Sequence, residues 1–188
     1  MVKYKNVKEL IEKSPVVDFA SIERASKKGY SKQLVRNMVL SGKLKRLAKG
    51  CYTKYDEPSL AVYCFKPSYL GLQDAMSYHE LWEQETIPVI ITSRNVRGGL
   101  RKVMGTNTLV RRLGKNYMFG YELVGDGQFF LPYSDVEKTF IDMVYFKERI
   151  SEESLLKFRE RIDKKKLADY LKRFPERVRK RVFARFKQ

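Results

Sequence analysis

The apolar positions of this chain change period several times, and each change marks an element. Val7, Leu10 and Ile11 recur at helical spacing behind Asn6, which predicts a first helix capped by Asn6. Phe19, Ile22 and Ala25 predict a second, stopped by the Lys27-Lys28-Gly29 turn. A third is expected over KQLVRNMVLSG, capped by Ser31 and ended by Gly42. Leu34, Val35 and Met38 make its buried stripe, which leaves Lys32, Gln33, Arg36 and Asn37 outside. KLKRLAKGCYTKY then alternates about Lys49-Gly50, the pattern of a small β-hairpin. Helices and hairpin in this order predict a winged helix-turn-helix over residues 1–55.

Past residue 55 the pattern becomes mixed. PSYLGLQDAMSYHEL predicts an extended lead-in and a helix bearing Leu72, Ala75, Met76 and Leu81. IPVIITS is a β-branched strand bounded by Pro88 and Ser93. NTLVRRL and NYMFGYELV predict two more strands joined by a Gly114-Lys115 turn, and QFFLPYS another after a hairpin turn at Gly125-Asp126-Gly127. Ser134 to Glu137 is a capping box opening a helix with Val136, Phe140, Ile141 and Val144 behind it. Ser151, Asp163 and Pro175 then open three helices, the last with Val178, Val182 and Phe186 on one stripe and Arg177, Arg181 and Arg185 on the next. The expected fold class is α+β: the winged helix-turn-helix, a small mixed α/β domain over 56–149, and a basic helical C-terminal segment over 150–188.

Charge adds a functional direction. The 188 residues carry a net charge of +17, segregated as +10 over 1–55, −1 over 56–149 and +8 over 150–188. Residues 29–55 hold seven Lys or Arg and no acid. That distribution points to a polyanionic partner, and the predicted third helix and hairpin point to double-stranded DNA. Gln33, Arg36 and Asn37, with Ser31 and Lys32 beside them, suit base edges in a major groove. Lys43, Lys45, Arg46 and Lys49 would neutralise phosphates, which fixes position without reading sequence.

Two further cationic groups leave alternatives open. Arg94, Arg97, Arg101 and Lys102 surround Gly98-Gly99, so that backbone amides approach a phosphate or the segment is a solvated connector. The C-terminal arginines belong to a helix packed on the middle domain, to extra phosphate or RNA contacts, or to a membrane-surface helix.

Other chemistry is not indicated. No apolar run approaches the roughly 18 residues of a membrane span, and the start lacks a signal-peptide core, which predicts a cytoplasmic protein. Cys51 and Cys64 do not form a C-x-x-C pair and are expected to be reduced thiols, neither a disulfide nor a zinc site. His79 has no cysteine or acid at a ligand or triad spacing, and Glu137 and Asp142 are expected as a cap and an exposed acid. No enzyme, cofactor or metal is therefore expected.

Several motifs resemble one family. Phe19, Gly29-Tyr30-Ser31, Gly42-Lys43-Leu44 and Gly50-Cys51-Tyr52 follow the N-terminal pattern of AbiEi-type antitoxins, the transcriptional regulators of abortive-infection toxin–antitoxin pairs. Pro67, Tyr69, Leu70, Ala75, Met76, His79, Phe119-Gly120 and Glu137-Lys138-Thr139-Phe140-Ile141-Asp142 follow that of the second domain, with Gly71 where the family often has Ser. The resemblance covers roughly residues 15–150. It implies a regulator that represses its own operon through the winged helix. It also implies a middle domain that counteracts a nucleotidyltransferase toxin, usually without a stable complex. The alternatives are a plain winged-helix transcription factor and an RNA-binding or ribosome-associated protein. The toxin itself is disfavoured, because its chemistry needs an Asp-x-Asp pair that the chain lacks.

Overall fold

The computed structural model describes residues 2–26, 29–125 and 127–187. The chain opens with α1 (Val2–Lys13), β1 (Val17–Asp18), α2 (Phe19–Ala25), α3 (Ser31–Leu40), β2 (Lys45–Ala48) and β3 (Cys51–Thr53). Val7, Ile11, Val17, Ile22, Leu34, Val35, Met38 and Leu44 close around one another as a core of their own. Helix α1 runs straight through Asn6, which is exposed within it. No breaker precedes Asn6, so the helix extends past the expected cap. Asp18 caps α2 by accepting from the Ser21 amide at 2.7 Å. Lys27 and Lys28, expected in the turn after it, lie outside the described residues.

At the end of α3, Gly42 takes a left-handed conformation (φ 71°), and the chain turns so that the Leu44 amide donates to the Met38 carbonyl at 3.0 Å. Strands β2 and β3 pair antiparallel with Arg46 opposite Tyr52, and β1 adds to the far side of β3. The turn at Lys49-Gly50 is held against α2, because the Phe19 amide donates to the Gly50 carbonyl at 2.8 Å.

The second unit begins with a 3-10 helix, Pro58–Phe65. It continues through β4 (Ser68–Leu70), α4 (Leu72–Tyr78), β5 (Val89–Thr92), β6 (Gly99–Val103) and β7 (Thr106–Arg112). A short 3-10 turn, Lys115–Tyr117, leads to β8 (Tyr121–Gly125), β9 (Phe130–Ser134) and α5 (Val136–Phe146). These strands form a mixed sheet in the order β6-β7-β5-β4-β9-β8. The arrangement corrects two expectations. The 94–102 segment is half strand, since β6 pairs antiparallel with β7 from Gly99 opposite Val110 to Val103 opposite Thr106. Strands β7 and β8 do not form a hairpin but lie far apart in the sheet, with β8 paired to β9.

Alternation along the central strands decides which face each residue feeds. Tyr69 and Ile91 join the larger core with Leu72, Met76 and Phe140, whereas Leu70, Ile90 and Val110 join a second cluster on the opposite face. The second cluster is covered by Leu60, Ala61, Val62 and Phe65 of the 3-10 helix and by Leu47 of β2. One side chain of the N-terminal hairpin is thus part of the sheet's core.

The helices α6 (Glu152–Arg161), α7 (Lys164–Leu171) and α8 (Glu176–Lys187) pack over α5, with Ser151 and Asp163 as the expected caps. Leu155, Phe158, Leu167, Leu171, Phe174 and Val182 are buried in the same core as Phe140 and Ile141. The basic C-terminal segment is therefore the outer layer of the middle domain's core. The cap of α5 is Asp135, one residue beyond the Ser134 expected, accepting from the Lys138 amide at 2.8 Å. Glu137 turns away from its own helix and accepts from the Asp163 amide at 2.8 Å, with Lys166 2.9 Å from its other oxygen. Among the described residues no helix is long and apolar enough to cross a membrane.

Two side-chain assignments are overturned. Cys51 and Cys64 are joined in a disulfide, their Cα atoms 6.0 Å apart. A separation of 13 residues gives no hint of this, and only the packing of β3 beside the 3-10 helix brings them together. Asp142 is not exposed but fully buried, ion-paired with an equally buried Lys138 one helical turn earlier.

Candidate nucleic-acid interface

Leu34, Val35 and Met38 hold α3 against α1 and α2, and this burial orients the opposite face outward. Lys32, Gln33, Arg36 and Asn37 are all exposed on it, as their spacing predicts. Gln33 donates to the Asn37 side chain at 3.0 Å, so these two amides are pre-aligned along the helix. Ser31 does not join them. It is buried at the first turn, with its hydroxyl 2.6 Å from that of Ser26. The cap position falls on Tyr30, and the side chain of Ser31 is spent inside the protein. Tyr30 and Leu40, exposed at the two ends of α3, were not singled out by the sequence because neither is a polar reader.

The hairpin divides its cations. Lys43, Arg46 and Lys49 are exposed, and no acid pairs with them, or with Lys32 or Arg36, among the described residues. Lys45 instead sits half-buried with its ammonium 2.7 Å from Asp56. Three of the first unit's four acids are engaged elsewhere, and the fourth, Glu23, is exposed on α2. Glu9 pairs with Lys13 at 3.4 Å, Glu12 with Lys54 at 2.6 Å, and Asp18 caps α2. The Ser21 amide, its main partner, holds the Asp18 carboxyl below its usual range. The result is a run of exposed cations from α3 to the hairpin, a stretch (residues 29–55) that contributes no carboxylate of its own, with the exposed Asp56 beside Lys45.

The other cationic groups behave differently. Arg94 donates to the Cys64 carbonyl at 2.8 Å, and Arg101 donates to the Arg97 carbonyl and lies over the Phe65 ring. Gly99 (φ 123°) starts β6 rather than opening an amide cradle, and Gly98 lies close to the Val110 carbonyl, where a Cβ would crowd it. Arg97 is exposed just before the outermost strand and Lys102 is exposed on it, where charge discourages strand addition. On α8, Arg177 is exposed and Arg181 half-buried, whereas Arg185 donates to the Ile150 carbonyl at 3.0 Å and helps dock the helix.

His79 is structural, its Nε2 2.7 Å from the Ser134 carbonyl. Two buried sites escaped the sequence. Lys138 donates to the Tyr69 hydroxyl at 2.6 Å, and that hydroxyl donates to Asp142 at 2.6 Å. Burial pushes the Asp142 carboxyl up and the Lys138 ammonium down, each partly offset by attraction between them. Asp74 accepts from the Val89 amide at 3.0 Å, and burial pushes its carboxyl up to about 7. The i, i+4 spacing of Lys138 and Asp142 was visible, but that spacing is usual on solvated faces as well. Asp74 carried no signal.

No protein-family model matches the chain, and neither does any curated protein. Among solved structures, the chain is similar over its whole length to the crystal structure of the RV2827C protein from Mycobacterium tuberculosis. It covers 77% of that chain, with a TM-score of 0.63 and 12% sequence identity. At that identity the likeness concerns the fold: a mixed α+β architecture.

Proposed function

We propose that the chain is a DNA-binding transcriptional regulator whose first unit works as a winged helix-turn-helix. In this reading α3 enters the major groove with Gln33, Arg36 and Asn37 at base edges. The β2–β3 hairpin is the wing, and Lys43, Arg46 and Lys49 meet phosphates. The observation that carries it is the run of exposed cations from α3 through the hairpin, Lys32, Arg36, Lys43, Arg46 and Lys49, none of them paired with an acid among the described residues. A merely solvated basic face would not need acids kept out of residues 29–55 altogether.

The resemblance to AbiEi-type antitoxins supplies the rest of the proposal. The protein represses its own operon in the cytoplasm, and its sheet domain counteracts a co-encoded nucleotidyltransferase. The test is titration against the DNA upstream of the gene, a scrambled duplex and a structured RNA, each at several salt concentrations. The proposal expects the upstream DNA to bind on the order of a thousandfold tighter than the scramble. Equal binding to all three, lost together as salt rises, would reduce the surface to an unspecific electrostatic patch.

A further inference from the structure

We propose that the Cys51–Cys64 disulfide is an exchange site for small anionic thiols, reached through the cationic cleft between the hairpin and the sheet. The cleft has a volume of about 580 Å³, and both cysteines line it. A space of that size suits a compact ligand of several tens of atoms. Lys49 reaches it from the hairpin turn, Lys66 from the end of the 3-10 helix and Arg94 from the loop after β5. The lining carboxylate is Asp18, already committed to the Ser21 amide and hydroxyl at 2.7 and 3.0 Å. Three cations against one committed acid attract a negatively charged reagent, repel a positive one and favour the thiolate form of a departing sulfur.

The two sulfurs differ in access. Cys51 is buried in β3, while Cys64 is partly exposed. The first step is therefore attack of an incoming thiolate on the Cys64 sulfur. The S–S bond breaks, the electron pair leaves with Cys51, which takes a proton from water, and Cys64 is held in a mixed disulfide. A second thiolate attacks the exogenous sulfur of that mixed disulfide, forming an external disulfide and releasing Cys64 as a thiolate. Two external thiols are oxidised to one disulfide, and the protein gains a dithiol. The protein's disulfide ties β3 of the first unit to the 3-10 helix of the second, so opening it removes a covalent tie and leaves the hairpin's seat on the sheet to packing such as that of Leu47 and Tyr55. The exchange itself does not depend on the nucleic-acid reading.

The test uses the oxidised full-length chain and two reagents, 2-mercaptoethanesulfonate and cysteamine, at equal thiolate concentration and equal ionic strength. Alkylation followed by intact mass counts the thiols released. The sulfonate is expected to open the disulfide about tenfold faster than cysteamine at low salt, with the ratio falling toward one at high salt. In Lys66→Glu and Lys49→Glu chains the ratio shrinks or reverses. Equal rates at low salt, a faster cationic reagent, or a purified chain that keeps two free thiols under air would each overturn the proposal.

Discussion

At the scale of single residues, the difference between a cation that is merely present and one that is available decides most outcomes. Lys45 and Arg46 are neighbours in sequence, yet Lys45 is paired with Asp56 while Arg46 is exposed. Alanine at Lys43, Arg46 or Lys49 is expected to weaken every duplex about equally and to flatten the salt slope by about one unit each. Lys45→Ala should flatten the salt slope less, because its ammonium is already paired with Asp56. Arg36→Ala and Asn37→Ala should instead relax sequence preference, and binding to a panel of mutated operators separates the two classes. Asp74 makes a different prediction. The unfolded chain gives up this proton near 3.8 and the folded chain holds it to about 7. The folded state therefore binds more protons between those values, so stability falls as pH rises from about 4 to about 7 and then levels off. In Asp74→Asn that part of the slope vanishes, a difference of at most roughly 4 kcal/mol across the window in denaturant titrations.

At the scale of elements, α5 carries the strictest constraint. Its Lys138 and Asp142 have no water to fall back on, and their partners are each other and the Tyr69 hydroxyl of β4. Removing either charge strands the other, so Lys138→Met or Asp142→Leu should cost about 3–5 kcal/mol. The double variant should recover much of that loss, and urea unfolding of the three chains completes the cycle. A double variant as unstable as the sum of the singles would mean that the pair is not coupled. The hairpin answers to two neighbours: Leu47 faces the sheet's core while Arg46 and Lys49 face outward. Strand alternation separates Arg46 from Leu47, and Lys49 is exposed in the turn beyond β2, which is how one hairpin packs a second unit and still presents cations.

At the scale of the molecule, the C-terminal helices decide whether the sheet has a covered face. Leu155, Phe158, Leu167, Leu171, Phe174 and Val182 are all buried against α5 and its neighbours. Each such side chain is worth about 1.5–3 kcal/mol on burial, against a net stability of about 5–15 kcal/mol for a typical domain. A chain ended at residue 149 is thus expected to lose cooperative thermal unfolding, whereas Arg177→Glu on the exposed face of α8 should leave Tm nearly unchanged. A truncated chain that melts as sharply as the full one would show that these helices are an appendage. The segment's surplus positive charge sits on the outer side of that layer, so charge and packing are carried by different faces of the same helices.

The sequence by itself determined the local elements and their faces: the stripe of α3, the Lys49-Gly50 turn, the Asp163 cap and the strand over 89–92. These depend on neighbours within one or two turns, and hydrophobic period and capping chemistry report such neighbours directly. It also determined which cations lie on the outer face of α3. What tertiary structure alone decided was every long-range pairing. Strand β6 was hidden because its buried residues are few, and it exists only where β7 offers an edge. The crossover between β7 and β8 was invisible because a turn signal at Gly114 does not say which strand comes to lie beside which. Cys51 and Cys64, Lys45 and Asp56, and Asp142 beneath Tyr69 acquired their chemistry from contacts that sequence spacing does not encode. Burial and partnership belong to the packed chain, and they turned an expected free thiol and an exposed acid into a disulfide and a core carboxylate, and gave Lys45 an acidic partner.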